Sequence, residues 1–201
     1  MLRQGSFYTG VDISEVSLSR AEAAAEEVLD RLRVRPVFRL DNAEQLSFPD
    51  NHFDCVLSVG ALHHSASVER AVQEVKRVLA PGGSAFIALY RTTSPKVLGA
   101  HALRGFQRCV DAVLQTDRAL YRSARAFGVG DGLGTAIYEC FGVPILRSYT
   151  QRGVRALFRD FASVRLSSHG PAFLTRRLPV KDATPIGVLG YLWLAEAKKD
   201  Q

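Results

Sequence analysis

A chain of 201 residues with 47% hydrophobic content suits one folded domain with a sizeable core. It contains no apolar run of about 18 residues that would cross a membrane, and Met1-Leu2-Arg3-Gln4-Gly5 lacks the apolar core of a secretion signal. These features argue against a membrane partner and for a cytoplasmic protein. The formal charge of +6 rests on 21 Arg and 5 Lys, spread among acids rather than gathered in a block, so solvated helix faces explain it better than a nucleic-acid surface.

Cys55, Cys109 and Cys140 form no C-x-x-C pair, which speaks against a zinc site or a disulfide framework. They are expected as reduced, mostly buried thiols. Phe7–Asp12 reads as a short buried strand that ends in an acid. Ser14–Leu32 then turns helical, with Ser14 as N-cap and Val16, Ala21, Ala24, Ala25, Val28, Leu29 and Leu32 as the apolar stripe. Pro36–Leu40 is the next strand, and Asp41–Asn51 a loop closed by the turn signal Pro49-Asp50-Asn51.

Phe53–Val59 is a third strand. Ser67–Leu79 is a helix expected to stop at Pro81-Gly82-Gly83. Ser84–Tyr90 is a nearly all-apolar strand, as suits a strand covered on both faces. From Thr92 to about Arg147 the chain changes character, with helices expected over Val97–Gln115 and Asp117–Phe127 followed by a glycine-rich loop. A helix near Gln151–Phe161 and strands near Ser163–Ser168 and Val188–Ala195 complete the pattern. Alternating strands and helices predict an α/β domain with a largely parallel sheet, and residues 92–147 read as an inserted helical cap within one domain spanning 1–201.

Three segments carry chemistry. In Gly10-Val11-Asp12-Ile13-Ser14, an acid at the carboxyl end of a parallel strand can accept from both hydroxyls of a ribose, although the same acid can merely cap the following helix. In Leu40-Asp41-Asn42-Ala43-Glu44-Gln45-Leu46-Ser47-Phe48-Pro49-Asp50-Asn51-His52-Phe53-Asp54, Asn42 can accept from an amine and the Ala43 N–H can donate to a ring nitrogen. Ser58-Val59-Gly60-Ala61-Leu62-His63-His64 lies just past a strand tip, where ligands of open α/β sheets bind. Either histidine could take a proton from an acceptor hydroxyl or amine, or could simply pack and cap the next helix. Gly128–Gly134 mimics a phosphate loop but follows a helical stretch, so it reads as a lid or hinge.

The second segment, with Val56-Leu57-Ser58 and Val75-Lys76-Arg77-Val78-Leu79-Ala80-Pro81-Gly82-Gly83, closely resembles the class I S-adenosylmethionine-dependent methyltransferases of the type 11, small-molecule kind. The resemblance implies a Rossmann-like sheet of strand order 3-2-1-4-5-7-6 and S-adenosylmethionine as cofactor. It implies Asp12 and Ile13 at the ribose, Asn42, Ala43 and Glu44 at the adenine, and Ser58, Val59 and Gly60 at the methionine portion. It implies no metal, a small-molecule acceptor methylated on O, N or C, and His63 or His64 as the candidate base. The assembly is left open, with a homodimer as one option. The family residue at position 42 is Asp, so the Asn here keeps the acceptor and drops the charge.

Measured against the family, the first strand, the glycine-rich loop and most of the first helix are expected to be missing, which marks the chain as N-terminally truncated. That strand would sit between Phe7–Val11 and Phe53–Val59, and its loss would leave a gap of about 10 Å. Six buried residues at about 1.5–3 kcal/mol each would go with it, a loss on the scale of a domain's whole stability. Weak cofactor binding is the expected consequence. A nicotinamide-dependent oxidoreductase shares the strand-end acid but wants a proton donor such as Tyr-x-x-x-Lys, which is absent. A degenerate, non-catalytic binding or scaffold domain is the other alternative.

Overall fold

The computed structural model describes residues 7–28, 34–117, 145–169 and 192–201. In chain order the elements are β1 (Thr9–Asp12), α1 (Glu15–Glu26), β2 (Val37–Leu40), β3 (Phe53–Val59), a 3-10 turn (Leu62–His64), α2 (Val68–Val78), β4 (Leu79–Tyr90), α3 (Pro95–Leu114), α4 (Gln151–Leu157), β5 (Ser163–His169) and β6 (Leu192–Lys198). The expected helix over Asp117–Phe127, the glycine-rich Gly128–Gly134 and Cys140 lie outside the described residues.

The strands form two sheets. β1 and β2 pair in parallel, with Asp12 opposite Leu40. The other four run β3-β4-β6-β5, with β3 parallel to β4 and both later pairings antiparallel. Laid side by side, the two sheets follow the strand order the resemblance implies, interrupted between β1 and β3. Among the described residues no strand pairs with β1 on the side away from β2, or with β3 on the side away from β4.

The core lies on one face of the larger sheet. α2 starts where the Ser67 hydroxyl accepts the Arg70 N–H at 3.2 Å, with Glu69 in its first turn and Lys76 and Arg77 in its last, all matched to the helix dipole. Its apolar residues recur at helical spacing, and Val68, Ala71, Val72, Val75 and Val78 are all buried. The first four pack with Ala85, Ile87 and Leu89 of β4, Ala195 and Ala197 of β6, and Val154 and Phe158 from around α4. Each buried valine contributes about 1.5 kcal/mol or more.

Several expectations need correction. The part of the expected stripe that lies in α1 meets no core, because no residue of the helix is buried and Val16 is 63% exposed; Leu29 and Leu32 lie outside the described residues. One face of β3 is bare as well, with Leu57 and Val59 exposed, as is Ile13 just beyond β1. Pro81-Gly82-Gly83 does not stop α2, which already ends at Val78; β4 begins at Leu79 and runs through the motif. Leu79 pairs with Phe53 and Ser84 with Cys55, so residues 80–83 are an excursion inserted into the ladder. Gly82 turns there at φ 73°, and its N–H donates to the Asp200 carbonyl. Cys55 and Cys109 are exposed rather than buried, because Cys55 shares the uncovered face of β3 with Leu57 and Val59.

α3 lies inside the region read as a cap. Ser94 caps it, Pro95 opens it, and Gln115 ends it in the left-handed conformation at φ 50°. Val97, Ala100 and Gln107 are buried along one side, while Leu98, Phe106 and Val113 are exposed. Of the aromatics of this region that the sequence offers either as the lining of an acceptor pocket or as core, Phe106 is exposed on α3, while Tyr121, Phe127, Tyr138 and Phe141 lie outside the described residues. Among the described residues no helix is long and apolar enough to cross a membrane.

Candidate functional site

The carboxyl tips of β1 and β2 are locked together. Parallel pairing sets Asp12 opposite Leu40, and the Asp41 N–H donates to the Asp12 carbonyl at 3.0 Å. Asp12 and Asn42 therefore stand at adjacent strand tips, as required for two groups that read one ligand. One oxygen of the Asp12 carboxylate accepts the Ser14 N–H at 2.8 Å, ahead of the α1 N-cap where the Ser14 hydroxyl accepts from Ser17. The capping and binding readings of Asp12 thus coexist, because a carboxylate has acceptor sites to spare. Ile13, next in sequence, is 75% exposed.

Beyond β2 the loop folds on itself. The Asn42 side-chain oxygen accepts the Glu44 N–H at 2.9 Å, and the Asn42 carbonyl accepts the Gln45 N–H at 2.9 Å. Asp41 organises the rest: its carboxylate accepts from the Asn42 N–H, the Ser47 N–H and the Ser47 hydroxyl. Sequence reasoning passed over Asp41, although an acid two residues ahead of Ala43 in a turn-rich loop was a signal for this role. Ala43 leans on the core of the larger sheet, and so ties the loop to it.

The tip of β3 supplies the second group. Gly60 adopts φ 80°, where any other residue is strained, and the space in front of its absent Cβ is open. The Ser58 hydroxyl oxygen is buried with no hydrogen-bond partner among the described residues, a polar atom the fold leaves to be satisfied. Val59 is 63% exposed. The two groups, Asp12 with Asn42 and Ser58 with Gly60, stand on different sheets that no ladder joins among the described residues.

The histidines divide cleanly. His63 is fully buried and stacks on Tyr90 with ring centroids 3.9 Å apart, so it packs under the tip of β4. His64 is half-buried and its Nδ1 lies 2.7 Å from the Ile145 carbonyl oxygen. A carbonyl only accepts, so Nδ1 carries the proton and Nε2 of the neutral ring is left as the acceptor. Residues 145–149 also hold the turn from above: the Arg147 N–H donates to the His63 carbonyl and its guanidinium to the Ala66 carbonyl. Among the described residues no three His, Cys, Asp or Glu gather to hold a metal.

Asp12 leaves carboxylate acceptor capacity beside the backbone and amide groups of the Asn42 loop, and Gly60 leaves open space for close approach. Residues 1–87 match the family described as the methyltransferase domain. The demethylmenaquinone methyltransferase of Symbiobacterium thermophilum is 43% identical over 82 residues, 40% of this chain and 31% of that protein. The sterol 24-C-methyltransferase ERG6B of Gibberella zeae is 37% identical over 81 residues, 39% of this chain and 20% of that protein. The ubiquinone/menaquinone biosynthesis C-methyltransferase UbiE of Pseudomonas aeruginosa is 30% identical over 89 residues, 44% of this chain and 35% of that protein. This chain thus spans well under half the length of the curated relatives it matches.

Among solved structures, an S-adenosylmethionine-dependent methyltransferase from Mesorhizobium loti superposes with TM-score 0.59 at 18% identity, covering 96% of this chain and 81% of that one. A putative methyltransferase from Haloferax volcanii, in complex with the Trm112 methyltransferase activator, gives 0.57 at 15% identity, covering 96% and 72%. At such identities the likeness is one of fold.

Proposed function

This chain has the class I S-adenosylmethionine-dependent methyltransferase fold, with residues 1–87 carrying the family match, and from that premise we propose that it serves methyl transfer to an O, N or C atom of a small-molecule acceptor. S-adenosylmethionine is the cofactor of the family. The observation that carries the reading is the paired tip of β1 and β2, where the Asp12 carboxylate and the Asn42 loop face outward from neighbouring strands.

In this reading Asp12 accepts from the ribose hydroxyls with Ile13 beside it, and Asn42, Ala43 and Glu44 hold the adenine. Ser58, Val59 and Gly60 line the methionine portion. When bound, the cofactor supplies a methyl group on a sulfonium that is already a good leaving group. The chain's part is to position and to exclude water. His64, anchored through Nδ1, holds Nε2 ready to take a proton where the acceptor has one to lose; His63 supports it from below. α3 stands on the acceptor side, and the apolar residues that it exposes favour an acceptor with an apolar body. The relatives named for menaquinone, ubiquinone and sterol methylation accord with that.

Ultraviolet cross-linking with methyl-tritiated S-adenosylmethionine tests the reading. Label in peptides that contain Asp12, Asn42 or Gly60, displaced by S-adenosylhomocysteine, supports it; label absent, or spread evenly over the chain, refutes it. The interrupted sheet favours one alternative, a non-catalytic binding or scaffold domain. That alternative predicts no displaceable label.

A further inference from the structure

We infer that Glu74 and Arg77 of α2 are positioning residues, which hold the loop Asn42–Asp50 in its ligand-receiving shape before any ligand arrives; the inference rests on the cofactor reading above. The loop has hydrogen bonds of its own, and its backbone is also gripped from outside. The Glu74 carboxylate accepts the Leu46 N–H at 2.8 Å. The Arg77 guanidinium donates to the Leu46 carbonyl, the Phe48 carbonyl and the Asp50 carboxylate, each at 2.8 Å. The two side chains also bind each other twice, at 2.8 and 2.7 Å, so the carboxylate and the guanidinium hold one fixed geometry. Both side chains are largely shielded, at 19% and 31% exposure, so water competes poorly for these bonds.

The grip reaches the candidate binding residues through an unbroken run of hydrogen bonds. Arg77 and Glu74 fix Leu46; its neighbour Ser47 donates twice to Asp41; and Asp41 donates to the carbonyl of Asp12. Asn42, Ala43 and Glu44 lie inside the span so fixed. A charged pair on a helix of the larger sheet thereby sets the shape of a loop that belongs to the tips of the smaller one. A loop ordered in advance has less freedom to lose on binding, so the pair acts on affinity without touching the ligand.

The test uses the full 201-residue chain with Arg77→Met, Arg77→Lys and Glu74→Gln, read by amide hydrogen exchange and by titration with S-adenosylhomocysteine. Arg77→Met is expected to speed exchange at Gln45, Leu46 and Ser47 by about tenfold or more, while Val154 and Phe158 in and after α4 keep their rates. Nucleoside binding, read at Asn42–Glu44, should weaken by about tenfold, with Arg77→Lys recovering part of it. Unchanged loop exchange in Arg77→Met would overturn the inference, as would equal affinity in the native chain and the variant. A native chain that gives no response to S-adenosylhomocysteine while its loop exchange behaves as described would refute the cofactor reading and leave the preorganised loop standing. Should Arg77→Met not fold, Asp50→Ala, which removes one exposed acceptor of the clip, carries the same comparison.

Discussion

The backbone N–H of Asp41 donates to the carbonyl oxygen of Asp12 at 3.0 Å, one step beyond the Asp12–Leu40 pair of the parallel ladder. That bond carries the register of two strands into the loops that follow them, and so places a carboxylate and an amide side by side. The behaviour of the Asp12 side chain follows from its two duties.

Asp12→Asn keeps an oxygen for the Ser14 N–H and loses the charged bidentate acceptor. It should leave the midpoint of chemical denaturation nearly unchanged while S-adenosylhomocysteine binding weakens by about tenfold or more. Asp12→Ala should lose both, with an additional stability cost of about 0.5–1.5 kcal/mol from the lost hydrogen bond to the Ser14 N–H. Calorimetric titration and urea unfolding of the two variants separate the duties.

Gly60 sits at φ 80° with open space where a Cβ would stand. Gly60→Ala therefore meets backbone strain and no clash, and should cost about 1–2 kcal/mol. Gly60→Asn, a residue that tolerates this region, should cost less. Urea unfolding midpoints report the order.

His63 and His64 should separate by kind of effect. His63 is fully buried against Tyr90, so His63→Ala should destabilise by about 2–3 kcal/mol through the cavity it leaves. His64→Gln should be milder in stability and should lower the rate of methyl transfer once an acceptor is in hand. A loss of rate without loss of stability in the His63 variant alone would reverse the assignment.

Acid should loosen the loop clip. The Arg77 guanidinium bonded to Glu74 holds that carboxyl below its ordinary value of 4.5, against the opposing effect of burial. A depressed folded pKa contributes stability that is present above the unfolded value and is lost as pH falls through the folded one. Stability should thus decline below about pH 4.5, and Glu74→Gln should decline less steeply over the same range, as acid unfolding followed by circular dichroism would show.

The uncovered edges should make the chain adhesive. Leu57 and Val59 of β3 are 67% and 63% exposed on a strand that, among the described residues, is paired on one side only, and such edges invite pairing with other chains. Sedimentation should show concentration-dependent association of the native chain, and Leu57→Lys with Val59→Lys should suppress it without loss of stability.

Much of this was legible in advance, wherever local chemistry and tertiary packing agree. β3 spans the expected Phe53–Val59, and α2 begins one residue after the expected start at Ser67, where helical spacing matches a face of the helix that is in fact covered. The same rules misread α1: a helical stripe says which side wants cover, and nothing in the stripe says that cover is present. Pro81-Gly82-Gly83 misled for a different reason. Leu79 already pairs with Phe53, and a turn-forming sequence can be accommodated as an excursion within a ladder whose partners are distant in sequence. In the candidate site, the strand-end positions of Asp12, Asn42 and Gly60 were legible from the sequence. The Glu74–Arg77 grip was not, because it joins residues some thirty apart whose meeting depends on how α2 crosses the loop.

The most direct test of the central claim is amide chemical-shift mapping of the 201-residue chain during titration with S-adenosylhomocysteine. Perturbations that saturate, centred on Asp12–Ser14, Asn42–Glu44 and Ser58–Gly60, are the predicted result, with affinity weak, at about 0.1–1 mM, because the two halves of the site stand on separate sheets. Perturbations confined to other surfaces, or none at millimolar ligand, would contradict it.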